Sequence, residues 1–183
     1  NTNTNQPSMS QLQPVPDVSN PLNIREGNPD LKQEFNHNVQ ANLALISPFS
    51  SKNLFLFLRV QAAQNKIVNY DSLDQQTGVR KTKPVNVNGV YNLNANFSHS
   101  RPVKFLKGNI ELSSNVGYNR GKQLINTLSN PKAENAIAVL SVGPELRLDM
   151  NPTDKFNLVL GTALNHNNTK YSLQPGLSNN YLS

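Results

Sequence analysis

VNVNGVYNLNANFSHS, Val85 to Ser100, places apolar or aromatic residues on every second position: Val85, Val87, Tyr91, Leu93, Ala95 and Phe97, with Gly89 in step. Between them stand Asn86, Asn88, Asn92, Asn94, Asn96 and Ser98, interrupted only by Val90. Successive side chains of a strand point to opposite faces, so the segment reads as a strand with one apolar face and one face of amides. A helix would scatter both sets around its circumference. What each face touches is the question for the whole chain.

Outward from this stretch the same alternation recurs. A first strand is expected from about Glu34 to Ile46, with Phe35, Val39, Ala41, Leu43 and Leu45 on one face. A second runs from Asn53 to Asn69 and carries Leu54, Leu56, Leu58, Val60 and Ala62 together. Val85–Ser100 is the third. Gly108–Arg120, Ala136–Met150 and Phe156–Ser172 are the fourth, fifth and sixth. Short turns are expected at Ser47–Lys52, Arg101–Lys107 and Asn151–Lys155. Long polar connections are expected at Tyr70–Pro84 and Gly121–Asn135.

Residues 1–32 hold Pro7, Pro14, Pro16, Pro21 and Pro29 and show neither period, which is loop chemistry. The tail from Leu173 is polar loop as well. The division is therefore a loop over 1–32, a sheet over 33–172 and a loop over 173–183. Short and long connections alternate strictly, which is the pattern of a membrane β-barrel with tight turns on one side and long loops on the other.

Composition bounds the choice. Of 183 residues, 36% are hydrophobic and only 15% charged, and the balance is carried by about thirty asparagines. Low charge argues against simple disorder. Uncharged polar residues on one face of long strands suit a hydrated interior. No run of about 18 apolar residues could form a transmembrane helix, which leaves a barrel open because barrel strands alternate. Residues 1–20 do not read as a signal peptide, and zero cysteines exclude disulfides and thiol chemistry.

The net charge of +6 is spread thinly, with Arg101, Lys104 and Lys107 densest and Arg80, Lys81 and Lys83 next. These clusters lack interleaved aromatics and read as solvated turns, not as a nucleic-acid surface.

Two features favour a membrane barrel over a soluble sandwich. Soluble strands mostly run about 5–6 residues, whereas each alternating run here is about 12 or longer and could cross a bilayer. Phe49, Phe55, Phe97, Phe105 and Phe156 sit near the short turns, and Tyr70, Tyr118 and Tyr171 near the long connections. Aromatics at both strand ends fit two interfacial girdles.

Several motifs point to one family. GNPDLKQE (Gly27–Glu34) resembles the GNPxLKPE motif ahead of a barrel strand in TonB-dependent receptors, with Gln33 where that motif usually has proline. NKIVN (Asn65–Asn69), TKPVNVNGVYNLN (Thr82–Asn94), VGYNR (Val116–Arg120) and NNTKYSLQ (Asn167–Gln174) are similar, in the same order, to the large outer-membrane β-barrel family abundant in Bacteroidetes.

The resemblance implies an outer-membrane location and a barrel of about 22 strands, with a plug domain in transporting members and energy supplied through TonB. Six strands with no plug and no TonB-box-like start imply an internal fragment of such a barrel, and an isolated fragment would bury its lipid-facing stripes by oligomerising. The implied function is ligand uptake by a TonB-dependent receptor-like barrel. The alternative is a non-transporting outer-membrane scaffold or a soluble β-sheet binding module.

No chemistry-bearing constellation emerges. His37, His99 and His166 lie on separate strands without a second ligand at metal spacing. No nucleophile elbow or acid–base pair is visible, so no enzyme, cofactor or metal is expected. DSLDQQTG (Asp71–Gly78) lacks the full acidic pattern of a calcium loop. The candidate ligand-contacting residues are the lumenal amides Asn86, Asn88, Asn92, Asn94, Asn96, Asn109 and Asn115. The plainer reading is that they bond one another, water or a plug.

Overall fold

A computed structural model describes residues 1–126, 132–153 and 155–183. Among the described residues, twelve strands join one sheet. They are β1 (Thr2–Asn5), β2 (Asn23–Arg25), β3 (Glu34–Ser47), β4 (Lys52–Gln64), β5 (Lys66–Leu73), β6 (Arg80–Val87), β7 (Val90–Val103), β8 (Gly108–Ile125), β9 (Ala133–Thr153), β10 (Phe156–Ala163), β11 (His166–Tyr171) and β12 (Asn179–Leu182). One helical turn, α1 (Met9–Leu12), is held by a capping box between Ser8 and Gln11.

The antiparallel meander of six long strands, three hairpins in all, is present as β3, β4, β7, β8, β9 and the β10–β11 pair. The sixth strand is interrupted at Leu164–Asn165, where Leu164 N–H reaches the Pro144 carbonyl at 2.9 Å. The turn joining β3 to β4 is closed by Ser50 N–H on the Ser47 carbonyl. Lys107, in the left-handed region, ends the 3-10 turn Lys104–Leu106 that joins β7 to β8. Of the connections expected at Gly121–Asn135 and Asn151–Lys155, residues 127–131 and 154 lie outside the described residues.

The polar connections carry more structure than their composition suggested. Tyr70–Pro84 is not loop but most of the β5–β6 hairpin, which extends the sheet above β7 and meets β8 at Tyr70↔Leu124. Residues 1–32 contribute β1 on the edge of β3 and β2 parallel to β6. The tail contributes β12 on β11. Short strands of this kind bring no hydrophobic period of their own and form because a neighbouring edge offers them partners.

The third strand begins at Val90, not Val85. Gly89 takes φ +79° and Asn65 takes φ +53°, so β4 and β7 both break at the same height, and the chain between them rises as β5–β6. Positive φ is open to glycine and tolerated by asparagine, and a break there reverses the alternation that seemed continuous through Asn88-Gly89.

Below these bends the register aligns every long strand into rungs. On one face the rungs are Val39–Val60–Leu93–Tyr118–Leu140, Ala41–Leu58–Ala95–Val116–Val142, Leu43–Leu56–Phe97–Ser114–Pro144, Leu45–Leu54–His99–Leu112–Leu146, Arg101–Ile110–Leu148–Leu160 and Val103–Gly108–Met150–Leu158. Six rungs span about 33 Å along the strands at two residues per rung. At a tilt of about 40° that is about 25 Å of height, the apolar band of an outer-membrane barrel.

This apolar face is uncovered. Val39 is 66% exposed, Leu45 55% and Leu160 52%. Among the described residues the buried apolar side chains are Leu31, Tyr70, Val87 and Ala133, all at the long-connection end. A soluble sandwich would bury one face of every strand, and this sheet buries neither.

Candidate functional site

The opposite face is built from amides, hydroxyls and the occasional charge. Its rungs include Asn38–Gln61–Asn92–Asn119–Val139, Gln40–Arg59–Asn94–Gly117–Ser141 and Asn42–Phe57–Asn96–Asn115–Gly143. Short polar side chains around Gly117 leave a groove of about 420 Å³ lined by Asn92, Asn94, Asn96, Asn115, Asn119 and Ser141. Within it Asn94 Nδ2 donates to Asn92 Oδ1, and Ser141 Oγ donates to Asn167 Oδ1 at 2.7 Å on the next strand. Gly143 belongs to the same wall. A Cβ there would collide with Asn115 Oδ1 and come within 3.2 Å of Asn165 Oδ1, so the glycine lets two amides close over the strand.

Among the described residues, two buried polar atoms on this face lack a partner: Asn38 Oδ1 and Arg59 Nε. Arg59 spends its Nη2 on Gln40 Oε1 at 3.3 Å. A desolvated donor or acceptor left unpaired costs about 1–3 kcal/mol, which water or a bound ligand in a hydrated lumen would relieve.

The sequence candidates divide. Asn92, Asn94, Asn96 and Asn115 come together in the groove. Asn109 shares their face but lies three rungs away toward the short turns, beyond Glu111 and Ser113. Asn86 and Asn88 lie above the bends and serve the fold. Asn86 Nδ2 donates to the carbonyls of Asn65 (2.7 Å) and Lys32 (3.0 Å), and its Oδ1 accepts Lys32 N–H. Asn88 Oδ1 accepts Asn65 N–H at 2.8 Å. Asn119 and Ser141 fall on the polar faces of their strands by alternation alone, without standing out as candidates, and Gly117 gives no sequence signal of its own.

A second cavity of about 540 Å³ lies between the N-terminal segment and β5–β6, lined in part by Gln13, Asp17, Arg25, Asp71 and Arg80. Its Asp71 and Arg80 engage each other, and the Asp17 carboxylate accepts Ser19 N–H at 3.0 Å. Thr82 Oγ1 donates to Asp71 Oδ1 at 2.6 Å. The Arg80 guanidinium, with Thr82, holds the Asp71 carboxyl below its ordinary range against the opposing effect of burial. Nearby, the Thr77 hydroxyl and the Gln76 N–H lower Asp74 in the hairpin turn, so DSLDQQTG closes as a capped turn. The three histidines stay apart: His37 Nδ1 meets Thr2 Oγ1 and His99 Nδ1 meets the Asn53 carbonyl. Among the described residues no group of three or more His, Cys, Asp or Glu is placed to hold a metal.

An uncovered apolar face of bilayer height, backed by an amide wall, is the cross-section of a barrel wall, and residues 1–141 match the family model described as outer membrane protein beta-barrel family. The chain belongs to that family. Its place is the bacterial outer membrane, with the rungs from Val39 to Val103 against lipid and the amide groove toward the lumen. No curated protein and no solved structure matches the chain. The family membership also explains the two sheet edges. Among the described residues, Val39–Ser47 of β3 and the whole of β10 are paired on one side alone. Backbone groups in a bilayer must be satisfied by strand pairing, so both edges are open to further strand pairing.

Proposed function

We propose that this outer-membrane barrel is a TonB-dependent receptor-like protein of the kind abundant in Bacteroidetes and takes up a ligand through its lumen. The observation that carries the reading is the amide groove around Gly117, set on a sheet whose open edges call for a wide barrel. A narrow barrel fills its interior with side chains, whereas a wide one encloses a channel or a plug. Uncharged amides offer donors and acceptors without fixing a charged species, which suits passage of a polar ligand or contact with a plug. GNPDLKQE adds the resemblance to receptor barrels.

On this reading the chain works by binding and passage, not catalysis, and its partners are lipid, the remaining strands, a plug domain and TonB. The test is capture of the full-length protein, in detergent, by the periplasmic domain of TonB. A stoichiometric complex that is lost when the TonB-contacting segment is deleted is the expected result. A folded full-length barrel that never binds TonB would overturn the uptake reading in favour of a non-transporting scaffold.

A further inference from the structure

The charged residues of the long strands are sorted by face. Toward the lumen lie Glu111, Glu145, Asp149, Arg59 and Arg147, with Arg147 donating to both oxygens of Asp149 at 3.2 Å. Toward lipid the register places Lys52, Arg101, Arg120, Lys122 and Lys170, with Glu134 as the one acidic residue among the described strand positions. Glu134 is engaged with Lys122 at 2.7 Å. The acidic side chains thus point inward, while the cations of the apolar face gather toward its two ends, Lys52 and Arg101 near the short turns and the others above the Val39–Leu140 rung.

At the long-connection end the cations form a site with aromatic support. The rung directly above Val39–Leu140 reads His37–Ala62–Tyr91–Arg120–Ala138–Lys170. Tyr91 and Tyr118 stack with centroids 5.7 Å apart. Arg120 lies 5.7 Å over the Tyr91 ring and points Nη1 to the Tyr91 hydroxyl at 3.5 Å. Neither Arg120 nor Lys170 takes part in an ion pair among the described residues. They share one rung across Ala138, so their strands are about 10 Å apart.

We propose that Tyr91, Tyr118, Arg120 and Lys170 form a docking site for the phosphate of an outer-leaflet lipid headgroup. The ring stack orients the guanidinium, which binds phosphate oxygens through parallel N–H donors, and Lys170 supplies a second point charge. The occupant is a lipid because the site opens onto the apolar rungs beneath it. Acyl chains lying on Leu93, Val116 and Val142 place a headgroup at this height, and a soluble acidic partner would have to enter lipid to reach it. The long-connection end faces the cell exterior in outer-membrane barrels, which assigns the lipid to the outer leaflet.

The experiment uses the full-length protein in phosphatidylcholine nanodiscs doped with diphosphorylated lipid A or with its dephosphorylated form. Lipid carried through detergent extraction is counted by native mass spectrometry, and folding is verified by heat-modifiable gel mobility. The phosphorylated form is retained preferentially. Removing one charge in R120Q or in the exposed-site variant K170Q lowers retention about fivefold, R120K lowers it less because the charge stays while the parallel donors are lost, and the lumenal R147Q leaves it near the unsubstituted level. Equal retention of both lipid forms, or full retention in a folded R120Q/K170Q double variant, overturns the proposal. Displacement of the lipid by inorganic phosphate alone overturns its assignment to a lipid.

Discussion

The Asn88 side-chain oxygen accepts the Asn65 backbone N–H at 2.8 Å, which ties together two bends on adjacent strands. Both residues stand where the chain leaves the barrel wall for the β5–β6 hairpin. Membrane strand and external hairpin are therefore joined by the amides of Asn86 and Asn88, the latter next to a glycine in the left-handed region. Replacing Gly89 with alanine puts a Cβ into that region at a cost of about 1–2 kcal/mol. Asn88→Ala leaves the Asn65 N–H unpaired for about 1 kcal/mol. Urea unfolding of the full-length protein in detergent should show both losses, and Asn69→Ala on the hairpin should show less.

The motif Gly27–Glu34 acts as a latch between the N-terminal segment and the hairpin. Glu34 is 3% exposed, accepts Ile67 N–H at 2.7 Å and pairs with Lys66 at 3.1 Å. Asn28 Nδ2 reaches the Pro84 carbonyl at 3.0 Å, and a Cβ on Gly27 would collide with the Gln13 carbonyl. Glu34→Ala removes charge-assisted hydrogen bonds worth about 1.5–3 kcal/mol each. Protease added to intact cells should then cut residues 1–33 much faster while the barrel stays folded. Unchanged cleavage would show that the latch does not hold this segment.

The Asp71–Arg80 pair gives the external hairpin a pH dependence. Because the folded pKa of Asp71 is depressed, its contribution is fully present above the unfolded value of about 4 and is lost as pH falls through the folded value. The pair is half-exposed, so the effect is at most about 1 kcal/mol. The protection factors of the β5–β6 amides, with the intrinsic exchange rate divided out, should fall in acid for the native chain, and Asp71→Asn should flatten that dependence.

The amide groove predicts different responses at its two glycines. A Cβ on Gly117 meets Asn94 Oδ1 at an ordinary 3.8 Å, whereas on Gly143 it displaces Asn115. Gly117→Ala should keep stability and narrow the groove. Gly143→Ala should cost about 1–3 kcal/mol through overpacking. Thermal midpoints in detergent distinguish the two.

Alternation makes the long strands and their two faces legible, because a period of two runs along each of them below the bends, from Val39 in β3 to Leu160 in β10. The bend at Gly89 is hidden because Asn88-Gly89 keeps the polar–apolar rhythm while breaking the backbone, and the bend at Asn65 falls in a polar run, Gln64-Asn65-Lys66, with no rhythm to interrupt. For that reason Asn86 and Asn88 looked like lumenal amides when their side chains are fold contacts. The pieces β1, β2 and β12, and the part of β5–β6 from Tyr70 to Pro84, are not legible in composition, since edge pairing and not a hydrophobic stripe makes them strands. The groove was half visible: its asparagines stood out, but its depth comes from Gly117 opposite Asn94 and Ser141, a relation that needs the register between strands.

Neighbouring residues Leu93 and Asn94 carry the central claim, that one face meets lipid and the other a hydrated lumen. The chain has no cysteine, so Leu93→Cys and Asn94→Cys can each be labelled alone in the full-length protein in membranes. The account predicts that a nitroxide at position 93 is relaxed by oxygen dissolved in the bilayer and shielded from a water-soluble nickel chelate, with the reverse at position 94. Lipid exposure at position 94 would contradict the register, the lumenal wall and the barrel placement together.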